Sequence, residues 1–199
     1  MHVWRDRLHR WLAPLARRSP LSPNAVTVLA LLFAFAAAYL LYRREFLIAI
    51  VVVIVSGVAD AFDGIVARVQ NKVSRFGDFL DHFCDRVADA VLMAGWLLGN
   101  GVRAELALAS LAAILLNGYA GTQLEATWHE REYATMGRAE FVLALVVFPL
   151  VSHILFRHGW ADLAPGGLKI AEWMSVLVVV FTLLAIGQRI ALARRLGRD

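Results

Sequence analysis

Five aspartates lie between Asp60 and Asp85, in the stretch DAFDGIVARVQNKVSRFGDFLDHFCD of an otherwise apolar chain. Asp60 and Asp63 have i, i+3 spacing, and Asp81 and Asp85 have i, i+4 spacing. On a helix, each of these pairs occupies a single face. If the two helices are antiparallel neighbours joined by the short basic turn between them, the four carboxylates meet in one cleft.

Four carboxylates in one cleft repel one another and cannot all remain ionised without positive charge nearby. Arg68 and Arg86 are close in sequence but supply too little charge, whereas two divalent cations would balance it. Carboxylate oxygens favour Mg²⁺, then Mn²⁺ or Ca²⁺, and argue against zinc. Two such metals are typical of phosphoryl chemistry. His82, without a ligand-spaced partner, is expected at the surface or between helices.

The composition places this site in a membrane protein. The chain has 199 residues, 60% of them hydrophobic and 18% charged, with a mean hydropathy of +0.63. A spanning helix needs about 20 mainly apolar residues. Six runs predict an all-α integral membrane fold with six transmembrane helices: Val26–Tyr42, Phe46–Ala59, Phe76–Leu98, Leu106–Leu116 with its continuation, Ala139–Phe156 and Leu168–Gly187.

The N-terminus has a different pattern, so we divide the chain into residues 1–18 and a six-helix catalytic domain, residues 19–199. Apolar residues recur at helical spacing with arginines mostly off the stripe, which predicts an amphipathic helix on an anionic leaflet. The alternative is a frayed basic tail. The stripe consists of Trp4, Leu8, Trp11, Leu12 and Leu15.

Basic residues set the expected orientation. If the N-terminus is inside, 14 of the 20 Lys and Arg residues lie in cytoplasmic segments. The positive-inside rule then places both termini and the aspartates on the cytoplasmic side of a bacterial or archaeal membrane. The basic charge is explained by the membrane, so no nucleic-acid partner is expected. Cys84 is the single cysteine and cannot form an internal disulfide.

Small residues and a capping sequence complete the local signals. Gly64 and Gly77 lie close to the aspartates and would leave room for a flat base, a phosphate or the facing helix. Gly95 and Gly99 are predicted to serve helix packing. The pair Ser22-Pro23 predicts a helix start, which Asn24 and Thr27 follow.

The fixed positions together resemble a family signature. Asp60-x2-Asp63-Gly64-x2-Ala67-Arg68-x8-Gly77-x3-Asp81-x3-Asp85 is similar to the DxxDGxxARx8GxxxDxxxD motif of the CDP-alcohol phosphatidyltransferases at every fixed position. Members of that family move a phosphatidyl or related group from a CDP-linked lipid, such as CDP-diacylglycerol, to a small alcohol and release CMP; some instead move a phosphoalcohol onto a lipid alcohol. The resemblance also implies a six-helix layout and a homodimer.

The resemblance assigns roles by motif position. It implies that Asp60, Asp63 and Asp81 bind Mg²⁺ or Mn²⁺, and that Asp85 reaches a second ion or acts as the base. Arg68 would hold the diphosphate through its planar guanidinium. The cytidine pocket would be shaped by Gly64, Ala67 and Gly77, while Asp78 would contact the ribose or stabilise the start of its helix. Asn24 would line this pocket or only cap a helix.

The acceptor alcohol is less clearly encoded. A polyol phosphate, such as inositol phosphate or glycerol phosphate, would need cytoplasmic cations. Candidates are Lys72, Arg75, Arg86, Arg131 and Arg138. The inositol-phosphate branch of the family carries arginines in a comparable Tyr…Glu segment, but here Tyr119 and Glu125 enclose none. An unphosphorylated alcohol contacting Gln123 and Glu125 therefore stays open. Asp89 is expected to pair with Arg86 or a polar acceptor.

Two alternatives come from other classes of protein. Buried carboxylates also mark cation or proton transporters, although those usually distribute charges over several helices near the bilayer midplane. A non-catalytic lipid-binding member of the family is the other alternative, which the intact set of four aspartates argues against.

Overall fold

A computed structural model describes residues 12–128 and 138–197, with only the backbone described for residues 138–142. All regular elements in these residues are helical, in agreement with the predicted class. They are α1 (12–18), α2 (Pro23–Tyr42), α3 (Phe46–Val69), α4 (Arg75–Gly99), α5 (Ala104–Trp128), α6 (Arg138–Arg157) and α7 (Ile170–Leu196), with a 3₁₀ turn at Pro165–Gly167.

Two serine caps define where the helices nearest the aspartates begin. Ser22 accepts a hydrogen bond from the backbone N–H of Ala25, and Pro23 follows in the first turn of α2, as predicted. Ser74 likewise accepts from the backbone N–H of Gly77 and starts α4. These bonds satisfy donors that the first turn of a helix otherwise leaves unpaired.

Four of the helices, α2, α3, α5 and α7, are long and apolar enough to cross a membrane. The apolar part of α6, Leu143–Arg157, is shorter, and α4 carries the charged residues of the site. Large apolar side chains stay exposed, as expected for surfaces that face lipid rather than water. Examples are Leu32, Phe35, Ile54, Leu108 and Leu183. The protein is therefore a membrane protein.

Close helix packing fixes α4 beside α2. A Cβ atom added at Gly95 would lie 2.9 Å from Cα of Ala38 and still closer to its carbonyl oxygen. One at Gly99 would lie 3.1 Å from the carbonyl carbon of Leu41. The predicted packing role of both glycines is confirmed, because any side chain there would force the two backbones apart.

The helices run alternately between two ends of the molecule. The aspartate end comprises the starts of α2, α4 and α6, the α3–α4 turn and the ends of α5 and α7. The opposite end comprises the α2–α3 turn, the α4–α5 turn and the α6–α7 loop. The helix α2 packs on both α3 and α4, α3 packs on α6, and α5 packs on α7.

The helix α1 is attached to the aspartate end. Ala16 is buried against Ile65 and Val66, and the side-chain amide of Gln70 donates to the carbonyl oxygens of Ala16 and Ser19. Of the predicted apolar stripe, Leu12 packs on this cluster and Leu15 is exposed, while Trp4, Leu8 and Trp11 lie outside the described residues. The interfacial helix over residues 1–18 stays a prediction.

Candidate active site

The four aspartates of the motif, called here the aspartate cluster, come together from α3 and α4. Carboxylate oxygens of Asp60, Asp63 and Asp81 lie within 4.8 Å of one another. Asp81 and Asp85 form a second group within the same limit, joined by a ring nitrogen of His82. The two helical faces therefore meet, as their spacing predicts, and Asp81 belongs to both groups.

A third helix contributes to the cluster through Thr27 on α2. Its hydroxyl lies 2.5 Å from Oδ2 of Asp63 and 3.1 Å from the carbonyl oxygen of Pro23. Asp63 is only 6% exposed, and the nearby carboxylates of Asp60 and Asp81 repel it electrostatically. From the sequence, Thr27 was predicted only to follow a helix start, because nothing in local spacing relates it to Asp63.

His82 corrects one expectation from the sequence. It has ligand-spaced neighbours in Asp81 and Asp85, and its Nε2 also lies 3.8 Å from Oδ1 of Asp78. The i+1 relation of His82 to Asp81 concealed this, since adjacent helical residues do not share a face. Asp78 is exposed in the first turn of α4, whose cap is Ser74.

This donor set suits a divalent cation. Oxygen ligands from several carboxylates match the preference of Mg²⁺ and Mn²⁺, and their concentrated negative charge needs such a counter-ion. Asp81 is shared by both groups, so its carboxylate connects them.

The residues predicted for the nucleotide surround the cluster. Gly77 faces Asn24, because a Cβ atom at Gly77 would lie 3.3 Å from its Oδ1. One turn before Arg68, a Cβ atom at Gly64 would lie 3.6 Å from Nη2 of that arginine. Ala67 is half-buried on the same turn.

A cavity of ≈ 50 Å³ opens beside the cluster, between α2, α3, α4 and α6. It has room for a small polar group or ordered water. Its polar lining comprises Thr27, Ser56, Asp60, Cys84, Asp85 and Asp89.

The residues predicted for the acceptor are dispersed. Nη1 of Arg86 lies 3.3 Å from Oδ2 of Asp89, so the expected pair is confirmed. Lys72 is exposed and donates to Gln70, Arg75 is exposed, and Gln123 is exposed near Thr127. Arg138 begins α6, but its side chain lies outside the described residues, as does the whole of Arg131.

A residue that the sequence analysis missed, Arg189 on α7, reaches the same region. It donates to the backbone and side-chain oxygens of Asn117 on α5. Its guanidinium lies over Gly121, where a Cβ atom would be 3.2 Å from Cζ. Arg86 lies in the same way over Gly118, one turn earlier on α5. In the sequence, only Gly118 and Gly121 could have indicated these contacts, because glycines leave space that arginine side chains can fill.

The fold and the site thus define a class of protein, an all-helical membrane protein with a carboxylate metal centre at one end. Comparison with known proteins identifies the family. The profile of the CDP-alcohol phosphatidyltransferases matches residues 20–187. The chain belongs to this family and is a transferase of phospholipid biosynthesis. The transporter hypothesis is thereby left without support.

Individual relatives agree with one another. The chain is 31% identical over 198 residues to a phosphatidylinositol phosphate synthase of Streptomyces avermitilis, covering 94% of this chain and 79% of the relative. It is 32% identical over 120 residues to an archaetidylinositol phosphate synthase of Pyrococcus horikoshii, covering 60% of this chain and 62%, less than two thirds, of the relative.

The fold of this chain resembles that of solved structures. A crystal structure of Mycobacterium tuberculosis phosphatidylinositol phosphate synthase in complex with manganese and citrate aligns with a TM-score of 0.72 at 25% identity, covering 90% of this chain and 87% of that one. A second structure of that enzyme, with CDP-DAG bound, aligns with a TM-score of 0.68 at 24% identity, covering 89% and 94%.

Proposed function

We propose that this enzyme transfers a phosphatidyl group from a CDP-diacylglycerol-type lipid to a hydroxyl of inositol phosphate and releases CMP. The choice of acceptor rests on one observation: Arg86 of α4 and Arg189 of α7 lie against glycines one turn apart on α5, at the same end of the molecule as the aspartate cluster. The sequence left this segment without a cation between Tyr119 and Glu125, and two other helices supply cations to it. The names of the relatives support the same product class.

The metal centre would hold two divalent ions, Mg²⁺ or Mn²⁺. Asp60, Asp63 and Asp81 would bind one, and Asp81 and Asp85 the other, with His82 close to the second. When bound, the ions neutralise the diphosphate and the departing phosphate oxygen. The oxygen-rich donor set supports this assignment, as does manganese in the mycobacterial structure.

The remaining chemistry falls to side chains. Arg68 would grip the diphosphate with two directed donors, while Gly64, Ala67 and Gly77 leave room for the cytidine. The acceptor oxygen attacks the phosphorus of the phosphatidyl group, the bond from this phosphorus to the bridging oxygen breaks, and CMP departs. Asp85 takes the proton that the acceptor hydroxyl loses.

The acceptor's phosphate would lie between the guanidinium groups of Arg86 and Arg189, since arginine binds phosphate through paired hydrogen bonds. Asp89 would keep Arg86 directed toward α5. The exposed Lys72 and Arg75, together with Arg131 and Arg138, would attract the acceptor from the cytoplasm. Gln123 would contact a hydroxyl of the polyol.

The membrane arrangement is proposed with the same reasoning. All six long helices, α2 to α7, would cross a bacterial or archaeal cytoplasmic membrane, because α4 packs along α2 and α6 along α3, and both α4 and α6 expose large apolar side chains such as Leu98 and Leu143. The aspartate end and both termini would face the cytoplasm, where most basic residues lie. Residues 1–18 would rest on the membrane surface, and residues 19–199 would form the catalytic domain of a homodimer.

The test is CMP release by the purified full chain in lipid vesicles with CDP-diacylglycerol and Mg²⁺. The acceptor panel contains inositol 1-phosphate, inositol, glycerol 3-phosphate and serine. CMP release that requires inositol 1-phosphate and stops with a chelator is expected. Equal rates with inositol would exclude a phosphate-specific site, and release with another acceptor alone would exclude the proposed acceptor while leaving the reaction class intact.

A further inference from the structure

The side chain of Arg86 lies directly against Gly118 on α5 and fills the space that a side chain at position 118 would need. A Cβ atom built there would lie 2.6 Å from Cδ of Arg86 and 3.1 Å from Cζ, with Nη1 closer still. Because the clash reaches back to Cδ, rotating only the guanidinium cannot relieve it. With any side chain at position 118, Arg86 would have to leave α5 along most of its length.

The neighbouring glycine behaves differently. A Cβ atom at Gly121 would lie between 3.2 and 3.5 Å from three atoms of Arg189. Such distances need a shift of only a few tenths of an ångström in a flexible side chain. At Gly187, also on a helix at this end, a Cβ atom meets nothing within 4 Å. The three glycines therefore form a graded series of steric demand.

The surroundings of Arg189 are unfavourable for a cation. Arg189 is desolvated, is repelled by Arg86, and its Nε is buried without a hydrogen-bond partner among the described residues. Its Nη1 donates to two uncharged oxygens of Asn117. A second cation beside the desolvated Arg189 is unfavourable unless anions compensate both, and the contact of Asp89 with Arg86 supplies one carboxylate for two arginines.

We infer that Gly118 is a positioning residue for the acceptor: its missing side chain is what lets Arg86 lie beside Arg189, so that two guanidinium groups receive one phosphate. This inference rests on the proposed function. Asp89 contributes because its Oδ2 lies 3.3 Å from Nη1 of Arg86. Without this contact, repulsion would move the Arg86 side chain away from Arg189. A residue with a side chain at position 118 would favour an unphosphorylated alcohol.

The experiment compares Gly118→Ala, Gly121→Ala and Gly187→Ala as full-length proteins in vesicles, with CMP release measured at varied inositol 1-phosphate. The KM for inositol 1-phosphate should rise about tenfold or more in Gly118→Ala, as expected for loss of charge-assisted hydrogen bonds. It should rise less in Gly121→Ala and stay unchanged in Gly187→Ala. The KM for CDP-diacylglycerol should stay unchanged in all three.

A packing role would give a different result. It would lower the melting temperature of Gly118→Ala and reduce activity equally for both substrates, which would overturn the inference, as would an unchanged KM for inositol 1-phosphate. If Gly118→Ala cannot be purified, Arg86→Lys, whose ammonium group cannot form the paired hydrogen bonds, should raise the same KM selectively. An unchanged KM in that variant would also overturn the inference.

The wild-type arm separates this inference from the proposed function. If the wild-type enzyme does not use inositol 1-phosphate, the proposed acceptor is wrong and the inference fails with it. If the wild-type enzyme uses it and Gly118→Ala uses it equally well, the inference alone is wrong.

Discussion

The aspartate end and the opposite end of the molecule differ in how their charged residues are arranged. At the opposite end, the buried carboxylate of Glu172 accepts hydrogen bonds from the backbone and Nε of Arg103 and from the backbone N–H of Lys169. The Lys169 ammonium in turn lies 2.7 Å from Asp162. Each of these four charges meets an opposite charge, and together the contacts join the α4–α5 turn to the α6–α7 loop.

At the aspartate end, two groups of like charge are brought together, although Arg86 also pairs with Asp89. Asp63 is buried beside Asp60 and Asp81, and Arg86 of α4 repels Arg189 of α7. Such arrangements destabilise the folded protein unless ligands of opposite charge complete them. The charge pairs of the opposite end thus connect two loops of the fold, whereas the like charges of the aspartate end form the site that we propose for metal ions and substrate.

Removing divalent metal should have the largest effect. Incubation with a chelator should reduce CMP release to background, and Mg²⁺ or Mn²⁺ should restore it, because the ions neutralise the diphosphate. Added metal should also raise the melting temperature, since it binds the folded state. Asp60→Asn should lose most of this rise, while Glu172→Gln should keep it. Full activity in chelator would contradict the metal assignment.

Replacing the proposed base should come next. Asp85→Asn should lower turnover by roughly 10²–10⁴-fold, because no carboxylate accepts the hydroxyl proton. Binding of the CDP-lipid in the presence of metal should remain measurable. The matched change at the opposite end, Asp162→Asn, should leave the rate nearly unchanged. A near-normal rate in Asp85→Asn would exclude Asp85 as the base.

Removing a charge pair at the opposite end should lower the stability of the fold rather than the catalytic rate. Glu172→Gln should destabilise the fold by about 1–3 kcal/mol, since a buried charged acceptor is replaced by a neutral amide that accepts fewer of the surrounding hydrogen bonds. The melting temperature in detergent should fall, and the KM values of the remaining folded enzyme should not change. A selective loss of acceptor binding would mean that the two ends are coupled.

The smallest effect is expected for Lys169→Met, and it should depend on pH. The hydrogen bond and charge of Lys169 lower the pKa of the exposed Asp162 carboxyl. The stabilisation is therefore present above the unfolded-state pKa of that carboxyl and is lost as pH falls through its folded-state pKa. Melting temperatures of wild type and variant should differ slightly at neutral pH and converge in acid. A difference that persists in acid would assign it to packing.

The sequence predicted a large part of the fold and the metal centre. Helical spacing places Asp60 with Asp63 and Asp81 with Asp85, and a short turn between two helices makes them neighbours. The same periodic reasoning predicted the Ser22 cap, the packing role of Gly95 and the Arg86–Asp89 pair. Each of these depends on residues within a few turns, or on adjacent helices whose connection is too short to allow another arrangement.

The acceptor region was not predictable in the same way. The sequence pointed to Gln123 and to lysine and arginine residues on the cytoplasmic side, Arg86 among them. The structure adds Arg189, which the last helix brings to Asn117, and places Arg86 against Gly118. Helical periodicity gives the face on which a residue lies but not the helix that covers it, so contacts between distant segments need the packed structure.

The sequence by itself determined that this is a helical membrane protein with a carboxylate centre, because composition and periodicity act within each segment. Only the tertiary structure decided that Thr27 donates to Asp63, that Glu172 joins two loops, and that glycines on α5 admit arginines from α4 and α7. Those contacts link residues far apart in the chain, and they depend on the free energy of packing whole helices against one another.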